Sequence, residues 1–399
     1  MKRINILIVL VLLCFVFSFE IAEAIPAFAR KYAMSCKTCH SPMPRLKAYG
    51  DEFAGNGFKL PEKEAPRYFL ETGDEQLSLI RDFPVAARLE GHITYNYGNS
   101  ENSDFGVPFI LKLLSGGEIT KDIAYYFYFY MSERGELAGV EDCYIMFNNL
   151  LGIDLDLYFG QFQVSDPLFK RELRLSLEDY QVYKTKPGIS KMNLAYDRGI
   201  MLTLGLDWGM DLIFEMVNGC GLTHADARKL FDIDGHKTFI GRISQDIGDF
   251  ARVGGFALYG KEDMKNATNS GITNEVFTFG PDLTLSLGEK AELNFQYIHR
   301  TDKNLFLSEN DINPTKDLET KGIMTELIVT PNGDDSRFYG AALFNWIESD
   351  YKALNYKTAT LHLGYLLKRN LRIVLEGTYN FTDNDKNFTI FSLGFVNAF

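Results

Sequence analysis

A two-residue alternation of apolar and polar side chains constrains the fold of this chain more than any other feature. Within 85–97, for example, Leu89 and Ile93 alternate with Glu90 and His92. Successive side chains of a β-strand point to opposite faces, so such a segment has one apolar face and one polar face. Strands of about ten residues with this pattern are typical of outer-membrane β-barrels, whose apolar face meets lipid and whose polar face lines the lumen.

The alternating segments continue to the end of the chain, and sixteen of them can be placed. An even number is what a bacterial barrel requires. The connections alternate between tight turns such as 207–209 and longer loops, of which 164–198 is the longest. Phe399 closes an amphipathic last strand, which resembles the insertion signal of outer-membrane barrels. The predicted strands are 85–97, 107–119, 122–132, 139–149, 154–163, 199–206, 210–219, 237–247, 250–261, 274–287, 290–302, 320–331, 335–348, 354–367, 370–381 and 387–399.

We therefore predict an all-β fold, an antiparallel outer-membrane barrel of about 16 strands over residues 84–399. The alternative is a soluble all-β domain at the cell surface or in the periplasm. The strand lengths, the alternating connection lengths and an aromatic content of 14% favour the barrel. Two strands fit less well, because Glu141, Asp142 and Cys143 blur the alternation of one and Pro281 predicts a bulge in the other.

Residues 1–24 have the composition of a secretory signal peptide. Lys2 and Arg3 form a basic start, an apolar stretch follows, and the small residues Ala22 and Ala24 mark a cleavage site. We expect this segment to be removed on export; the alternative is a single membrane anchor. No later stretch is long and apolar enough to predict a membrane-spanning helix.

The sequence from Cys36 to His40 reads C-x-x-C-H, the attachment motif for c-type haem. Two thiols at this spacing reach the two vinyl groups of one porphyrin, and the imidazole that follows can lie beneath the iron. A redox C-x-x-C pair would call for a thioredoxin-like unit, and a zinc site would call for a second ligand pair; the sequence indicates neither. We predict one covalent haem c, bound by Cys36 and Cys39, with His40 as an axial iron ligand.

The segment around this motif is too short to enclose a porphyrin. Domains of some forty residues rarely bury a core unaided. We therefore expect 25–75 to form a haem-binding segment that lies in the barrel lumen and is sheltered by the strands. A sixteen-stranded barrel leaves enough space for such a plug.

The sixth iron ligand is less well defined by the sequence. Met34 and Met43 flank the motif but lie too close in sequence to reach the opposite haem face easily. His92, His362 and Met324 occupy inward-facing strand positions and are the candidates. A histidine or methionine there would make an electron-transfer haem, whereas an open position would favour ligand binding.

The alternation also predicts which side chains line the lumen. Most of them need no special function, because polar side chains are the usual lining of a wide barrel. Loop 164–198 is expected either to fold a short amphipathic helix at 168–173 into the mouth or to lie on the surface. Cys143 and Cys220 either pair in this oxidising compartment or remain separate thiols. The predicted lumen-facing residues are Arg88, Glu90, His92, Asp156, Asp211, Glu215, Arg242, Met324, Glu326, His362, Arg372 and Glu376.

The formal net charge of −12 bears on the partners. An acidic chain repels phosphates, which argues against a nucleic-acid partner. It attracts cations such as Fe(II), and the inward carboxylates Glu90, Asp211, Glu215 and Glu326 are expected to draw them inward. The expected partners are outer-membrane lipid, a periplasmic cytochrome or other electron carrier, and extracellular Fe(II) or another redox partner.

The haem motif is part of a longer pattern. It includes residues 25–30 before the motif, and Pro44, Leu46, Gly50, Phe53, Gly57 and Phe58 after it. This stretch resembles the fused monohaem cytochrome–porins of the outer membrane, a family that includes the iron-oxidising outer-membrane cytochromes. The resemblance implies one haem inside the barrel and electron movement between the exterior and periplasmic carriers. The resemblance also implies that Cys36 and Cys39 attach the haem and that His40 ligates its iron.

Together these features predict an outer-membrane monohaem c-type cytochrome–porin that carries single electrons across the membrane. Oxidation of extracellular Fe(II) is one version of this function. Two alternatives stay open, a porin in which the haem serves as a plug or sensor, and a periplasmic haem protein with a β domain. The sequence predicts no catalytic residues.

Overall fold

The structure, a computed structural model, describes residues 27–60, 70, 73–74, 76–80, 83–98, 102–382 and 388–399. The predicted signal peptide and part of the predicted 25–75 segment lie outside the described residues. Within the described ranges, no helix is long and apolar enough to cross a membrane.

Sixteen antiparallel strands form one closed barrel. Each strand pairs with its neighbours in sequence, and β1 closes the ring by pairing with β16, where His92 lies opposite Gly394. The predicted 16-stranded barrel is therefore confirmed. The strands are β1 (Val85–Tyr97), β2 (Asn102–Thr120), β3 (Ile123–Glu133), β4 (Gly139–Phe147), β5 (Leu155–Gln163), β6 (Tyr196–Leu206), β7 (Met210–Val217), β8 (Thr238–Ile247), β9 (Ala251–Lys265), β10 (Gly271–Ser286), β11 (Ala291–Leu305), β12 (Thr315–Val329), β13 (Phe338–Ser349), β14 (Tyr356–Lys368), β15 (Leu371–Asn380) and β16 (Phe388–Ala398).

The alternation along the strands separates a lipid face from a lumen face. In β14, Leu361 and Leu363 are 59% and 50% exposed, whereas Thr360 and His362 are buried. An outer surface of large apolar side chains around a polar interior is the arrangement that a bilayer stabilises. This places the protein in the bacterial outer membrane, as predicted, and it does not fit the alternative of a periplasmic β domain.

The connections differ in length at the two ends of the barrel. Those that follow even-numbered strands lie at the end where β1 begins, and include the two-residue turns 121–122 and 369–370. The opposite end carries the two longest loops, 164–195 and 218–237. Short turns face the periplasm in outer-membrane barrels, so β1 begins at the periplasmic end.

Some strands on the long-loop side run beyond their predicted ends. Between β9 and β10 only 266–270 remains as a loop, where the alternation predicted 262–273. Beyond the lipid both faces of a strand meet water, so strand pairing continues after the alternation of side chains has stopped.

A β-bulge explains the blurred alternation in the predicted strand 139–149. Consecutive residues of β3 pair with Asp142 and Val140, which leaves Glu141 as the extra residue. The side-chain Nε2 of Gln161 donates to the backbone carbonyl oxygens of Val140 and Glu141, at 2.6 and 2.8 Å, and so stabilises the bulge. One added residue shifts the faces by one position, which a strict two-residue pattern does not accommodate.

The prediction of a bulge at Pro281 is wrong. The register of β10 against both β9 and β11 is constant across this residue, which lies opposite Gly255. A proline removes one N–H donor from the ladder but leaves the pairing of its neighbours possible.

The N-terminal segment, residues 27–60, lies at the periplasmic end of the barrel. It contains two helices with the haem motif between them. The helices of the described chain are α1 (Ala27–Tyr32), α2 (Ala48–Gly55) and α3 (Gln181–Lys184), and the 3-10 turns are Cys36–Thr38, Leu150–Gly152, Arg171–Leu173, Gly333–Asp335 and Lys352–Leu354.

Loop 164–195 folds into the lumen. Tyr180 and Tyr183 are buried, and their hydroxyls donate to Glu326 Oε2 at 2.8 Å and to Gln296 Oε1 at 3.2 Å on the barrel wall. The alternative of a loop lying on the surface is therefore excluded. The helix predicted at 168–173 is helical only in its second half, as a 3-10 turn.

Candidate haem site and lumen

The C-x-x-C-H motif forms one compact turn. Cys36–Thr38 is a 3-10 turn whose start is capped by the hydroxyl of Ser35. The backbone N–H of His40 donates to the carbonyl oxygen of Cys36 at 2.9 Å. The chain turns once between the first thiol and the imidazole, so Cys36, Cys39 and His40 come together. Both cysteines are unpaired, and burial raises the pKa of both thiols.

One ring nitrogen of His40 is oriented by a backbone carbonyl. Its Nδ1 lies 2.9 Å from the carbonyl oxygen of Pro44, and because a carbonyl only accepts, Nδ1 carries the proton. Burial lowers the pKa of His40, which keeps the ring neutral. Histidines that ligate metals commonly donate one N–H to a carbonyl and ligate through the other nitrogen. Two thiols and one oriented imidazole therefore fit a c-type haem.

Two glycines allow α2 to lie between the motif and the barrel wall. A Cβ at Gly50 would lie 2.4 Å from the carbonyl oxygen of Cys39. Gly57, at φ +70°, approaches β3 closely, and a Cβ there would lie 2.7 Å from the Cβ of Ala124. Any other residue at these positions would push the segment away from its neighbours.

An aromatic cluster borders the motif on its α2 side. Phe28 packs edge-on against Phe53 at 5.4 Å and stacks on Phe58 at 4.9 Å between ring centroids. Phe58 stacks in turn on Tyr126 of β3 at 5.3 Å. Cys39 packs into this cluster. The result is an apolar wall beside the two thiols, a surface that excludes water from a bound porphyrin.

Charged pairs seat the segment on the periplasmic rim. Cationic side chains of residues 27–60 meet acidic residues of the turns and strand ends. Water and salt screen charged pairs at a solvated rim, so these pairs orient the segment more than they hold it. The pairs are Lys37–Asp335 at 3.0 Å, Arg45–Glu292, Lys47–Asp334, and Lys59–Glu118 at 3.3 Å.

The three predicted sixth ligands lie elsewhere in the lumen. The cavity that His40 lines is bounded by Cys36, Met43 and residues of the β12–β13 and β14–β15 turns. None of His92, His362 and Met324 lines it. Their ligation of the iron stays a prediction. Met43, set aside on sequence grounds, does line the cavity.

Met324 is fully buried in an apolar core between loop 164–195 and the wall. Tyr183 of the loop and Leu343 of the wall belong to the same core. The position is inward, as predicted, but the loop covers it. Sequence alternation reports which face a residue occupies and not what lies over that face.

His92 and His362 share a second cavity, between the loop and the wall. The Nδ1 of His362 lies 2.8 Å from Glu376 Oε2, and its Nε2 lies 3.4 Å from the hydroxyl of Tyr339. The Nδ1 of His92 lies 3.3 Å from the hydroxyl of Ser392. The Nε2 of His92 is buried and has no hydrogen-bond partner in the described part of the chain.

Glu172 of the loop accepts several hydrogen bonds from the barrel wall that could not be predicted from the sequence. It accepts hydrogen bonds from Lys112 at 2.8 Å, from Tyr196 at 3.1 Å, from Tyr130 at 3.4 Å and from Tyr128. Burial raises the pKa of Glu172 and Lys112 lowers it; the cation prevails, so the carboxylate is ionised. The alternation of β2 and β3 could have placed the lysine and two tyrosines inside, but nothing in it marks their partner.

The predicted lumen-facing residues do face inward. Ten of the twelve are buried, and Arg88 and Asp211 are half-buried. Two of the carboxylates expected to draw cations have cationic partners: Glu90 pairs with Arg88, and Asp211 lies 3.1 Å from Arg252. Such pairing reduces the attraction they exert on a free cation.

Cys143 and Cys220 are separate thiols. Cys143 faces outward on β4, whereas Cys220 lies in loop 218–237 with its sulfur 3.4 Å from the hydroxyl of Thr223. Of the two alternatives left open by the sequence, the structure has the unpaired one.

The chain was compared with known proteins. No protein-family model matches it, and no curated protein matches it in sequence. Its fold is similar to the outer-membrane channel DcaP of Acinetobacter baumannii (12% identity, TM-score 0.54, covering 80% of this chain and 97% of that one). It is also similar to an anion-selective porin from Comamonas acidovorans (12% identity, TM-score 0.53, covering 80% of this chain and 99% of that one). A third similar structure is Salmonella typhi OmpF in complex with daunomycin (10% identity, TM-score 0.54, covering 79% of this chain and 97% of that one).

At these identities the similarity concerns the fold alone. The closed barrel of sixteen antiparallel strands is that of the outer-membrane porins. This chain is therefore a porin-like outer-membrane barrel in contact with membrane lipid.

Proposed function

We propose that this protein is an outer-membrane cytochrome–porin that holds one c-type haem and passes single electrons between the cell exterior and the periplasm. Cys36 and Cys39 would hold the haem through thioether bonds, with His40 as an axial iron ligand. When bound, the haem supplies reversible one-electron chemistry. The observation that carries the proposal is the His40 ring, whose Nδ1 lies 2.9 Å from the Pro44 carbonyl oxygen, in one turn with two unpaired thiols.

The residues around the motif prepare the site for such a group. Pro44 fixes the tautomer and the plane of the His40 ring. The aromatic rings of Phe28, Phe53 and Phe58 keep water from one side. The barrel supplies the shelter that a segment of this size cannot build alone.

The interior of the barrel favours electrons over bulky solutes as the cargo. Loop 164–195 and the N-terminal segment meet across the lumen, where Lys170 Nζ lies 3.6 Å from Asp51 Oδ1. A solute would have to displace both segments to cross the barrel, whereas an electron would reach the haem without displacing either. The outer face would meet the donor, with Fe(II) as the candidate that suits a net charge of −12. The periplasmic face, where the motif lies, would meet a soluble electron carrier.

Electron transfer is tested in liposomes that enclose a redox dye. With Fe(II) or another one-electron donor outside, wild-type protein should reduce the dye faster than a Cys36→Ala/Cys39→Ala variant. The matched control is Cys143→Ala/Cys220→Ala, which removes two thiols that lie away from the motif and should behave as wild type. Equal rates for wild type and the Cys36/Cys39 variant would exclude electron transfer.

A porin in which the haem only plugs or senses is the second candidate. The charged pairs between the N-terminal segment and the rim support it, because they are the kind of contact a movable plug would use. Channel conductance distinguishes the two functions. A plug predicts conductance that changes with the redox state of the haem, without dye reduction in the liposomes.

A further inference from the structure

Arg372 of β15 is a buried cation that forms no salt bridge within the described part of the chain. It is 4% exposed. Its hydrogen bonds within the described chain use Nη1 alone, which donates to the Met43 carbonyl oxygen at 2.6 Å and to the Tyr339 hydroxyl at 2.9 Å. Among the described residues, no carboxylate oxygen lies within 4.0 Å of its guanidinium. Burying a charge without a counter-charge is costly, so a buried arginine of this kind indicates a missing anion.

The position of Arg372 links it to the haem motif. Met43, which accepts its hydrogen bond, lines the cavity that contains Cys36 and His40. Arg372 itself lines the second cavity, between the loop and the wall. The guanidinium therefore stands at the border between the motif and the lumen.

Unsatisfied polar atoms in the second cavity indicate independently that a group is missing there. Within the described chain the buried Nε2 of His92 makes no hydrogen bond, although Glu90 Oε2 lies 3.8 Å away, and the buried Nε atoms of Arg88 and Arg174 make none either. All three residues line this cavity. Four of its lining side chains are cationic, Arg88, Lys112, Arg174 and Arg372, against the three carboxylates Glu90, Glu172 and Glu376. The lining therefore has one more cation than carboxylates, although the buried Oε1 of Glu90, which ion-pairs with Arg88, also makes no hydrogen bond in the described chain.

We infer that Arg372 is the anchor for a haem propionate, and that the cavity beyond it receives the carboxylate edge of the haem. The inference rests on the proposed haem. A porphyrin held at its vinyl groups by Cys36 and Cys39 carries its propionates away from the thioether bonds, as carboxylates that an arginine binds with two parallel hydrogen bonds. Arg372 is a positioning residue, since it acts on the haem edge and not on the iron.

The test measures the midpoint potential of the purified holoprotein between pH 5 and pH 8. Arg372→Gln keeps an N–H donor for Met43 but removes the charge. An unpaired propionate beside the haem favours the oxidised iron and is protonated more readily, so this variant should show a lower midpoint at pH 8 and a steeper dependence on pH. Arg372→Lys keeps the charge and should restore most of the wild-type behaviour.

Arg252→Gln is the matched control. Arg252 lies at the same end of the barrel, is half-exposed and pairs with Asp246 at 2.6 Å. Its substitution removes the same charge and should leave the potential and its pH dependence as in wild type. If Arg372→Gln carries covalent haem and also matches wild type, the anchor is overturned.

A second measurement covers the case in which Arg372→Gln fails to fold. Resonance Raman spectra of wild type and Arg372→Lys should then differ in the propionate bending band, because the geometry of the carboxylate hydrogen bonds changes. Identical bands overturn the anchor. Loss of covalent haem from wild type itself would instead overturn the proposed function, so the two failures are distinguishable.

Discussion

The carboxylate of Glu376 on β15 accepts the backbone N–H of Leu177 at 2.7 Å and so holds loop 164–195 inside the barrel. The adjacent N–H, of Glu178, donates to the other carboxylate oxygen at 3.1 Å. His362 approaches the same carboxylate from the wall at 2.8 Å. One carboxylate side chain thus satisfies two backbone donors of a segment that has little regular structure of its own.

Glu376→Ala should release the loop from β15. Hydrogen bonds to a charged acceptor contribute about 1.5–3 kcal/mol, so the loss of two should raise the population of the open loop at least tenfold. Hydrogen exchange of 164–195 in detergent micelles measures this directly. Thr378→Ala, two residues along the same inward face and bonded to Thr360 instead, is the control. Unchanged exchange in Glu376→Ala would show that the other loop contacts suffice.

Covalent haem attachment should depend on the two motif thiols. The double variant Cys36→Ala/Cys39→Ala should lose all haem stain on a denaturing gel, because among the described residues the other cysteines, Cys143 and Cys220, lie in different elements. Replacing those two instead should leave the stain intact. Haem stain that persists without Cys36 and Cys39 would disprove the assignment.

The seating of the N-terminal segment should be sensitive to charge and salt. Asp334→Asn/Asp335→Asn removes the partners of Lys47 and Lys37 and should weaken the seating of the segment only modestly, because water and salt screen both pairs. Limited proteolysis should then cut the segment faster, and the difference from wild type should shrink at high salt. Asp232→Asn, which breaks the pair with Lys237 at the other end of the barrel, should leave cleavage of the segment unchanged.

The strands were predictable because the membrane imposes a physical rule on each of them. A lipid-facing position must be apolar, so Leu361 and Leu363 reveal β14 without any knowledge of their neighbours. The rule fails where the constraint ends, as in the extension of β9 and β10 beyond the lipid. It also fails at Glu141, where one bulged residue reverses the faces.

The interior of the barrel was less predictable, because no comparable rule applies there. Loop 164–195 buries apolar side chains such as Val182 and Met192 against the wall, but it has no strand alternation from which their direction could be predicted. The contacts that hold it, such as Tyr180 with Glu326, join residues far apart in sequence. The haem motif is the opposite case: its chemistry lies in five consecutive residues, so it was recognisable although the Pro44 carbonyl that orients His40 was not.

The loop should also respond to pH through Asp166. Burial, aided by the nearby Glu172 and opposed by Lys170, raises the pKa of Asp166 from 3.8 to about 6. An acid with a raised folded-state pKa favours the folded form below pH 4, and this contribution is lost as pH rises to about 6. Asp166→Asn should therefore have a higher free energy of unfolding than wild type at pH 8, by at most about 3 kcal/mol, and should unfold at a higher temperature. Below pH 4 the two proteins should unfold at the same temperature. Thermal unfolding in detergent at both pH values measures this, with Asp249→Asn in an exposed turn as control; equal midpoints at pH 8 would contradict it.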